Sequence, residues 1–280
     1  MGISNHSLEL LKTLTQLNGI SGHETEVRNY LKETYTCLGY ETIKDNLGSI
    51  FAVKKCGKAN AKKVLVVSHM DEVGFMVTGI TSNGMIKATA VGGLNDQTLL
   101  SSRVLLKGEK GYLYGTIGSV PPHLMSSADR EKPTPLASML FDFGFTSKED
   151  ALEAGAYIGA MMVLEGKFEV LNNGKRLLAK AFDDRLGLAV GIELLEQLKE
   201  QAAECGVKVQ YFTSPGGTDA GAIHKNYDGI LTFTQCLCAR SIHTCSTILD
   251  SDDYVSCLNL TLHMLKTLTS AKIISLQEED

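Results

Sequence analysis

Four stretches of this chain hold residues whose types and spacing could do chemistry. In Ser68-His69-Met70-Asp71-Glu72-Val73-Gly74, an imidazole stands two residues from a carboxylate, just past an apolar run. In an open α/β sheet, ligands bind outside the carboxyl ends of strands. A histidine there suits a metal ion, with the nearby acid orienting its ring; taken singly, a strand-end histidine beside a surface acid is the plainer reading. In Lys180-Ala181-Phe182-Asp183-Asp184-Arg185-Leu186-Gly187, two carboxylates precede an apolar periodic run. One of them could bridge two cations through its two oxygens, or both could serve a helix N-terminus. The loop Ser214-Pro215-Gly216-Gly217-Thr218-Asp219-Ala220-Gly221 is denser in glycine than a plain cap needs. Such a loop lets backbone amides approach a ligand closely, or forms a tight turn with Thr218 or Asp219 as helix cap. Finally, Ala239-Arg240-Ser241-Ile242-His243-Thr244 puts a lone histidine after a strand, and taken singly it reads as structural.

The elements that must position these residues follow from hydrophobic periodicity. Leu8, Leu11 and Leu14 predict a helix over 7–17, and a second helix runs from 24 to 37. Ser49–Val53 and Val64–Ser68 read as short apolar strands, an α/β pattern with buried parallel strands. After Asp71 the texture changes: 73–80, 85–91, 103–107 and 112–118 are short strands separated by glycine turns. That spacing predicts a small β barrel or sandwich. A brief acidic helix is expected at 147–154 and a longer helix at 185–199. Strands near 207–213 and 229–237 and a helix over 252–268 with Ser251 as N-cap complete the chain. The domain reading is an α/β unit made of 1–70 and 168–280, interrupted by an inserted β unit at 71–167.

Bulk properties narrow the function classes. The 280 residues are 44% hydrophobic and 21% charged, enough for a sizeable core. A net charge of -5 without a basic patch argues against nucleic acid. No run approaches membrane-spanning length, and Met1–Leu14 lacks the basic and apolar regions of a secretion signal. Seven scattered cysteines fit reduced thiols in a cytoplasm better than a disulfide framework. The Cys236-x-Cys238 pair lacks a second pair and reads as buried thiols rather than a zinc site.

Taken together and in order, SHMDEVGFMV, AFDDRLG, GGTDAGAIH and R-x-I-H resemble the motif series of the glutamyl or deblocking (tetrahedral, TET-type) dinuclear metallo-aminopeptidases. GISGHETEVR resembles that family's N-terminal signature, and TIGSVPPHLM followed by an acidic helix resembles its inserted dimerisation domain. The resemblance covers nearly the whole chain. It implies a mixed sheet flanked by helices and carrying a small barrel-like dimerisation domain. It implies two divalent ions, zinc or cobalt, with His69 on one, His243 on the other, Asp183 bridging and Asp71 orienting His69. Gly216, Gly217, Thr218 and Asp219 would contact the substrate, a short peptide held by its free N-terminus. The ions would polarise the scissile carbonyl and acidify a shared water, whose proton a glutamate would carry to the leaving amine. The Asp183–Asp184 bond would be cis. The partners would be further copies of the chain, dimers building towards a dodecamer.

The resemblance breaks after the helix over 185–199. There the family has a strand ending in adjacent glutamates, a general base and a metal ligand, and then a strand carrying an aspartate for the other ion. Here the helix runs into Gln201–Gln210, which resembles the family's later helix and strand just before GGTDAG. The implied sheet therefore lacks strands, and its edges are left unpaired. The sole Glu-Glu pair, Glu278-Glu279, lies in what reads as a disordered tail and receives no role. Glu193, Glu204 and Asp219 are the replacement carboxylates to consider; the first two read as water-facing helix positions and the third as a cap. Ser241 stands where the family has tyrosine. Two functions follow: a metal-dependent aminopeptidase releasing N-terminal residues, or a binding or assembly protein without catalysis. A chain with one clean internal deletion also fits. A glycosidase would need two facing carboxylates ~5–9.5 Å apart, and these motifs supply none.

Overall fold

The computed structural model of the protein describes residues 2–55, 63–126, 132–197, 218–226 and 230–278. Helix α1 (Asn5–Gln16) starts where the Ser4 hydroxyl accepts from the Ser7 amide at 3.0 Å, and it buries Leu10, Leu11 and Leu14. Helix α2 (Thr25–Cys37) buries Val27, Leu31 and Tyr35. Strands β1 (Glu41–Lys44) and β2 (Ile50–Val53) pair as an antiparallel hairpin beside it.

The next six strands close into a barrel. They are β3 (Gly74–Ile80), β4 (Ile86–Val91), β5 (Arg103–Gly108), β6 (Gly111–Ile117), β7 (Phe141–Asp142) and β8 (Met161–Leu164), in the order β3-β4-β7-β6-β5-β8. Alternate residues fill the interior: Phe75 and Val77, Val104 and Leu106, with Ile86, Phe141 and Met162. Phe75 and Phe141 meet edge to face at 5.0 Å between ring centroids. Helix α3 (Lys148–Glu153) is capped by Ser147. The predicted strands of this region lie within a residue or so of the observed ones, but β7 and β8 escaped sequence reading. The reason for β8 is physical: all four residues are buried, so no polar alternation marks it. Met162 faces the barrel interior, while Met161 and Val163 pack outward on Ile20. Glu26 of α2 ties the barrel down, accepting from Lys107 Nζ at 3.0 Å and from the Tyr112 hydroxyl at 2.5 Å.

A second sheet runs β11 (Ala239–Arg240), β12 (Thr247–Asp250), β10 (Arg176–Ala179) and β9 (Glu169–Leu171), each pair antiparallel. Helices α4 (Phe182–Gln197) and α6 (Ser251–Thr267) pack with α1 and α2 over it. Leu14, Leu31, Leu177, Phe182, Ala189, Leu249 and Tyr254 form the shared core. The short α5 (Asp219–Ile223) and the terminal α7 (Ser270–Glu278) complete the described elements. No helix among the described residues is long and apolar enough to cross a membrane.

Several expectations need correction. Val64–Ser68 forms no ladder among the described residues, and Val64, Leu65, Val66 and Val67 remain 48–63% exposed. The same holds for 230–237, where Leu231 and Phe233 are 54% and 60% exposed. An apolar run becomes a buried strand only when neighbours pair with it, and every ladder among the described residues is antiparallel and lies elsewhere. The stretch 207–213 lies outside the described residues. Asp250, not Ser251, caps α6, its carboxylate accepting from the Asp252 amide. Glu278 ends a helix rather than lying in a disordered tail.

Candidate functional site

Two loops and a tight turn converge on one carboxylate. His69 lies in the extended stretch before β3, with Nε2 3.0 Å from Asp183 Oδ1 and Nδ1 3.1 Å from Asp71 Oδ1. His243 lies in the turn between β11 and β12, with Nε2 2.9 Å from Asp183 Oδ2. Each oxygen of Asp183 therefore faces one imidazole. The turn is held by two hydroxyls: Thr244 and Thr247 both donate to the Ser241 carbonyl, at 2.7 and 3.0 Å. Ala181, Ser241 and His243 all adopt positive φ, between 55° and 61°. Left-handed backbone is unfavourable for such residues and tends to gather at functional sites.

The adjacent aspartates take different roles. Asp183 and Asp184 carry non-helical dihedrals, so the regular part of α4 begins after them. Asp184 Oδ1 accepts from the Gly187 amide at 3.0 Å, which is the N-cap bond, and Oδ2 accepts from the His69 amide at 3.3 Å. Capping thus falls to Asp184 and leaves Asp183 free. The bond between them is cis, as the resemblance implied. Gly187 is needed here, because a Cβ would stand 2.6 Å from both Asp184 oxygens and 2.8 Å from Ser68 Cβ.

The electrostatics suit a cation. Hydrogen bonds to Asp183 and then Asp71 raise the His69 pKa to about 11. The His69 ring in turn holds Asp71 and Asp183 below the ordinary carboxylate value. Burial pushes Asp184 up to about 6. A cavity of about 170 Å³ opens on these groups, walled by His69, Asp71, Asp183 and His243 on one side and by Val73, Gly92, Gly93 and Leu164 of the barrel region on the other. A Cβ on Gly93 would lie 3.6 Å from His243 Nδ1.

Shared between two cations, this donor set would supply each with one imidazole and one Asp183 oxygen. Catalytic zinc takes about three protein ligands. Among the described residues no group of three His, Cys, Asp or Glu donors converges on one point. Thr218 and Asp219 are exposed at the start of α5 and do not line the cavity; Gly216, Gly217 and Glu204 lie outside the described residues. Glu193 is not water-facing: it is 5% exposed and accepts from the Tyr254 hydroxyl at 2.6 Å, packed against α6. Sequence reading passed over Gly92 and Gly93, Thr247, and the pair Glu72 and Lys180, all of which line the cavity. The last two sat inside quoted motifs, but nothing in their spacing says that they meet.

The family profile described as M42 glutamyl aminopeptidase matches residues 48–208 and 194–260. The glutamyl aminopeptidase of Lactococcus lactis subsp. cremoris is 26% identical over 347 residues, covering 95% of this chain and 98% of that protein. The lysyl aminopeptidase of Pyrococcus furiosus is 33% identical over 198 residues, covering 70% of this chain but 56% of that protein. The chain thus spans little more than half the length of the Pyrococcus relative. Among solved structures, the TET aminopeptidase of the marine sediment archaeon Thaumarchaeota archaeon SCGC AB-539-E09 matches with a TM-score of 0.87 at 27% identity. That match covers 97% of this chain and 99% of that one. The mixed α/β fold with its closed six-stranded barrel is the fold of TET aminopeptidases. On these matches the chain belongs to the M42 glutamyl aminopeptidase family.

Proposed function

We propose that this chain is a metal-dependent aminopeptidase by descent, acting on the free N-termini of short peptides through two divalent ions held by His69, Asp183 and His243. The observation that carries the reading is Asp183, whose two oxygens each face a different imidazole at 2.9–3.0 Å. When bound, such ions polarise a carbonyl and acidify a water. The chain's own residues do the rest. Asp71 fixes the ring of His69. The Thr244 and Thr247 hydroxyls fix the turn that carries His243. Gly92 and Gly93 close the cavity from the barrel side and leave room for a peptide end.

A second reading, a peptide-binding or assembly protein without turnover, is favoured by one specific observation. Every described carboxylate near the cavity is engaged: Asp71 by His69, Glu72 by Lys180, Asp183 by both histidines and Asp184 by the cap. Glu193, a candidate replacement base, points to Tyr254 instead. Losing the general acid–base step costs about 10²–10⁴ in rate. An internal segment absent from this chain accounts for the missing base. The two overlapping family matches, and an alignment of 347 residues against a chain of 280, support that account. The inserted unit at 71–167 would serve dimerisation, and larger homo-oligomers would build on it.

Metal content after dialysis into zinc or cobalt tests the site, and release of N-terminal residues from short peptides tests turnover. Two ions per chain with metal-dependent release is the expected result for the enzyme. Two ions without release selects the binding protein. Fewer than one ion per chain overturns the metal centre.

A further inference from the structure

Beside the cavity lies a charged cluster that the proposed chemistry does not use. Lys180, Arg185 and Glu72 are 3%, 0% and 5% exposed. Lys180 Nζ donates to Glu72 Oε1 at 2.6 Å and to the Leu17 carbonyl at 3.2 Å. Arg185 NH1 donates to the carbonyls of Leu14 and Leu17 at 2.8 and 3.1 Å, and NH2 lies 3.7 Å from Glu72 Oε1. The two cations therefore share one carboxylate and one carbonyl at the end of α1. The Gly19 amide also points at Glu72 Oε1, at 3.4 Å.

The placement of these three along the chain is informative. Lys180 and Arg185 flank Asp183 on both sides, and Glu72 follows Asp71 in the loop that carries His69. Resting on the reading of His69 and Asp183 as metal ligands, we propose that Glu72, Lys180 and Arg185 are positioning residues. Together they form a buried clamp that sets the separation of the His69 loop from the Asp183 loop before any metal arrives.

Buried charges are costly, and packed apolar residues of similar size often serve stability as well or better. A cluster with two cations, one anion and a buried Arg185 whose Nε and NH2 make no hydrogen bond is a poor way to hold a fold together. It is a good way to hold three carboxylates close. Asp71, Asp183 and Asp184 crowd around His69, and like charges at such distances repel. The one positive charge in excess, carried on the same two loops as these carboxylates, offsets part of that repulsion.

The test uses two variants, Lys180→Met and Glu72→Gln. The second keeps size and an acceptor for Lys180, so it decides the matter if the first does not fold. Crystal structures of both metal-free variants should show the His69 Nε2–Asp183 Oδ1 contact, 3.0 Å here, opened beyond hydrogen-bond distance. Cobalt affinity, read from the visible spectrum during titration, should fall about 10-fold, the lower end of the effect of losing a group bonded to a ligand itself, because Glu72 and Lys180 act one step further out. An unchanged contact in the folded variants overturns the clamp. If the unmodified protein takes up no cobalt, the reading of the site as a metal centre fails separately, and the crystal structures still decide the clamp.

Discussion

His69 and Asp183 meet at 3.0 Å although they stand 114 positions apart in the chain. Between them lie the whole barrel and two strands of the second sheet, so the contact depends on both units being docked together. His243 approaches the other oxygen of the same carboxylate, at 2.9 Å. One side chain thus carries the candidate centre.

Replacing Asp183 by asparagine keeps its size and removes its charge. The bridge should be lost, and cobalt affinity in a calorimetric titration should fall by more than it does for Asp71→Asn. For that outer residue a loss of about 10–100-fold is expected. Equal losses for the two variants would contradict a bridging role.

At the proposed metal centre, protonation of His69 would compete with a bound ion. Its pKa is raised to about 11, chiefly by the Asp183 and Asp71 hydrogen bonds. A raised pKa means that the pairing contributes stability in full below the ordinary imidazole value of about 6.5 and loses it as pH rises through about 11. Imidazole resonances of His69 in the metal-free protein should therefore show no titration between pH 5 and 9. Cobalt uptake should strengthen with rising pH. A His69 midpoint near 6.5 would show that the pairing does not persist in solution.

Glu26 works with the opposite sign. Burial alone would raise its pKa, but hydrogen bonds from Tyr112 and Lys107 outweigh it and hold the carboxyl below its ordinary value. A depressed pKa contributes stability above the unfolded value and loses it as pH falls through the folded one. Glu26→Gln should lower Tm at pH 7 but make little difference near pH 3. A Tm gap that persists in acid would place the barrel's attachment elsewhere.

The Glu193–Tyr254 bond joins α4 to α6 away from the cavity. Tyr254 is fully buried, and Tyr254→Phe would leave the Glu193 carboxylate without that donor. Urea unfolding should show a loss of about 1–3 kcal/mol, with cobalt binding unchanged. A change in cobalt affinity without a change in stability would return Glu193 to the list of site residues.

Val64–Val67 presents an apolar run to solvent without strand partners among the described residues. Exposed apolar edges invite association. Leu65→Lys should reduce light scattering of the purified protein on warming and leave the melting transition nearly unchanged. A large fall in Tm would mean that the run is covered in solution.

Much of this protein was legible before folding was considered. The helices α1 and α4 follow from an apolar period near 3.6, which core burial imposes directly, and four of the barrel strands from short segments set between glycine turns. The motifs around His69, Asp183 and His243 named the residues that meet. Tertiary structure decided what local sequence leaves open. It gave the cap bond to Asp184 and left Asp183 facing both imidazoles, a choice that turns on which carboxylate the Gly187 amide reaches. It buried Glu193 against a helix 61 residues away, where a helical period shows only a polar position. It joined Glu72 to Lys180 and Arg185, since only the docking of the barrel region against α1 and α4 brings those charges together. And it left Val64–Val67 without a ladder, because a strand is a property of its neighbours as much as of its own residues.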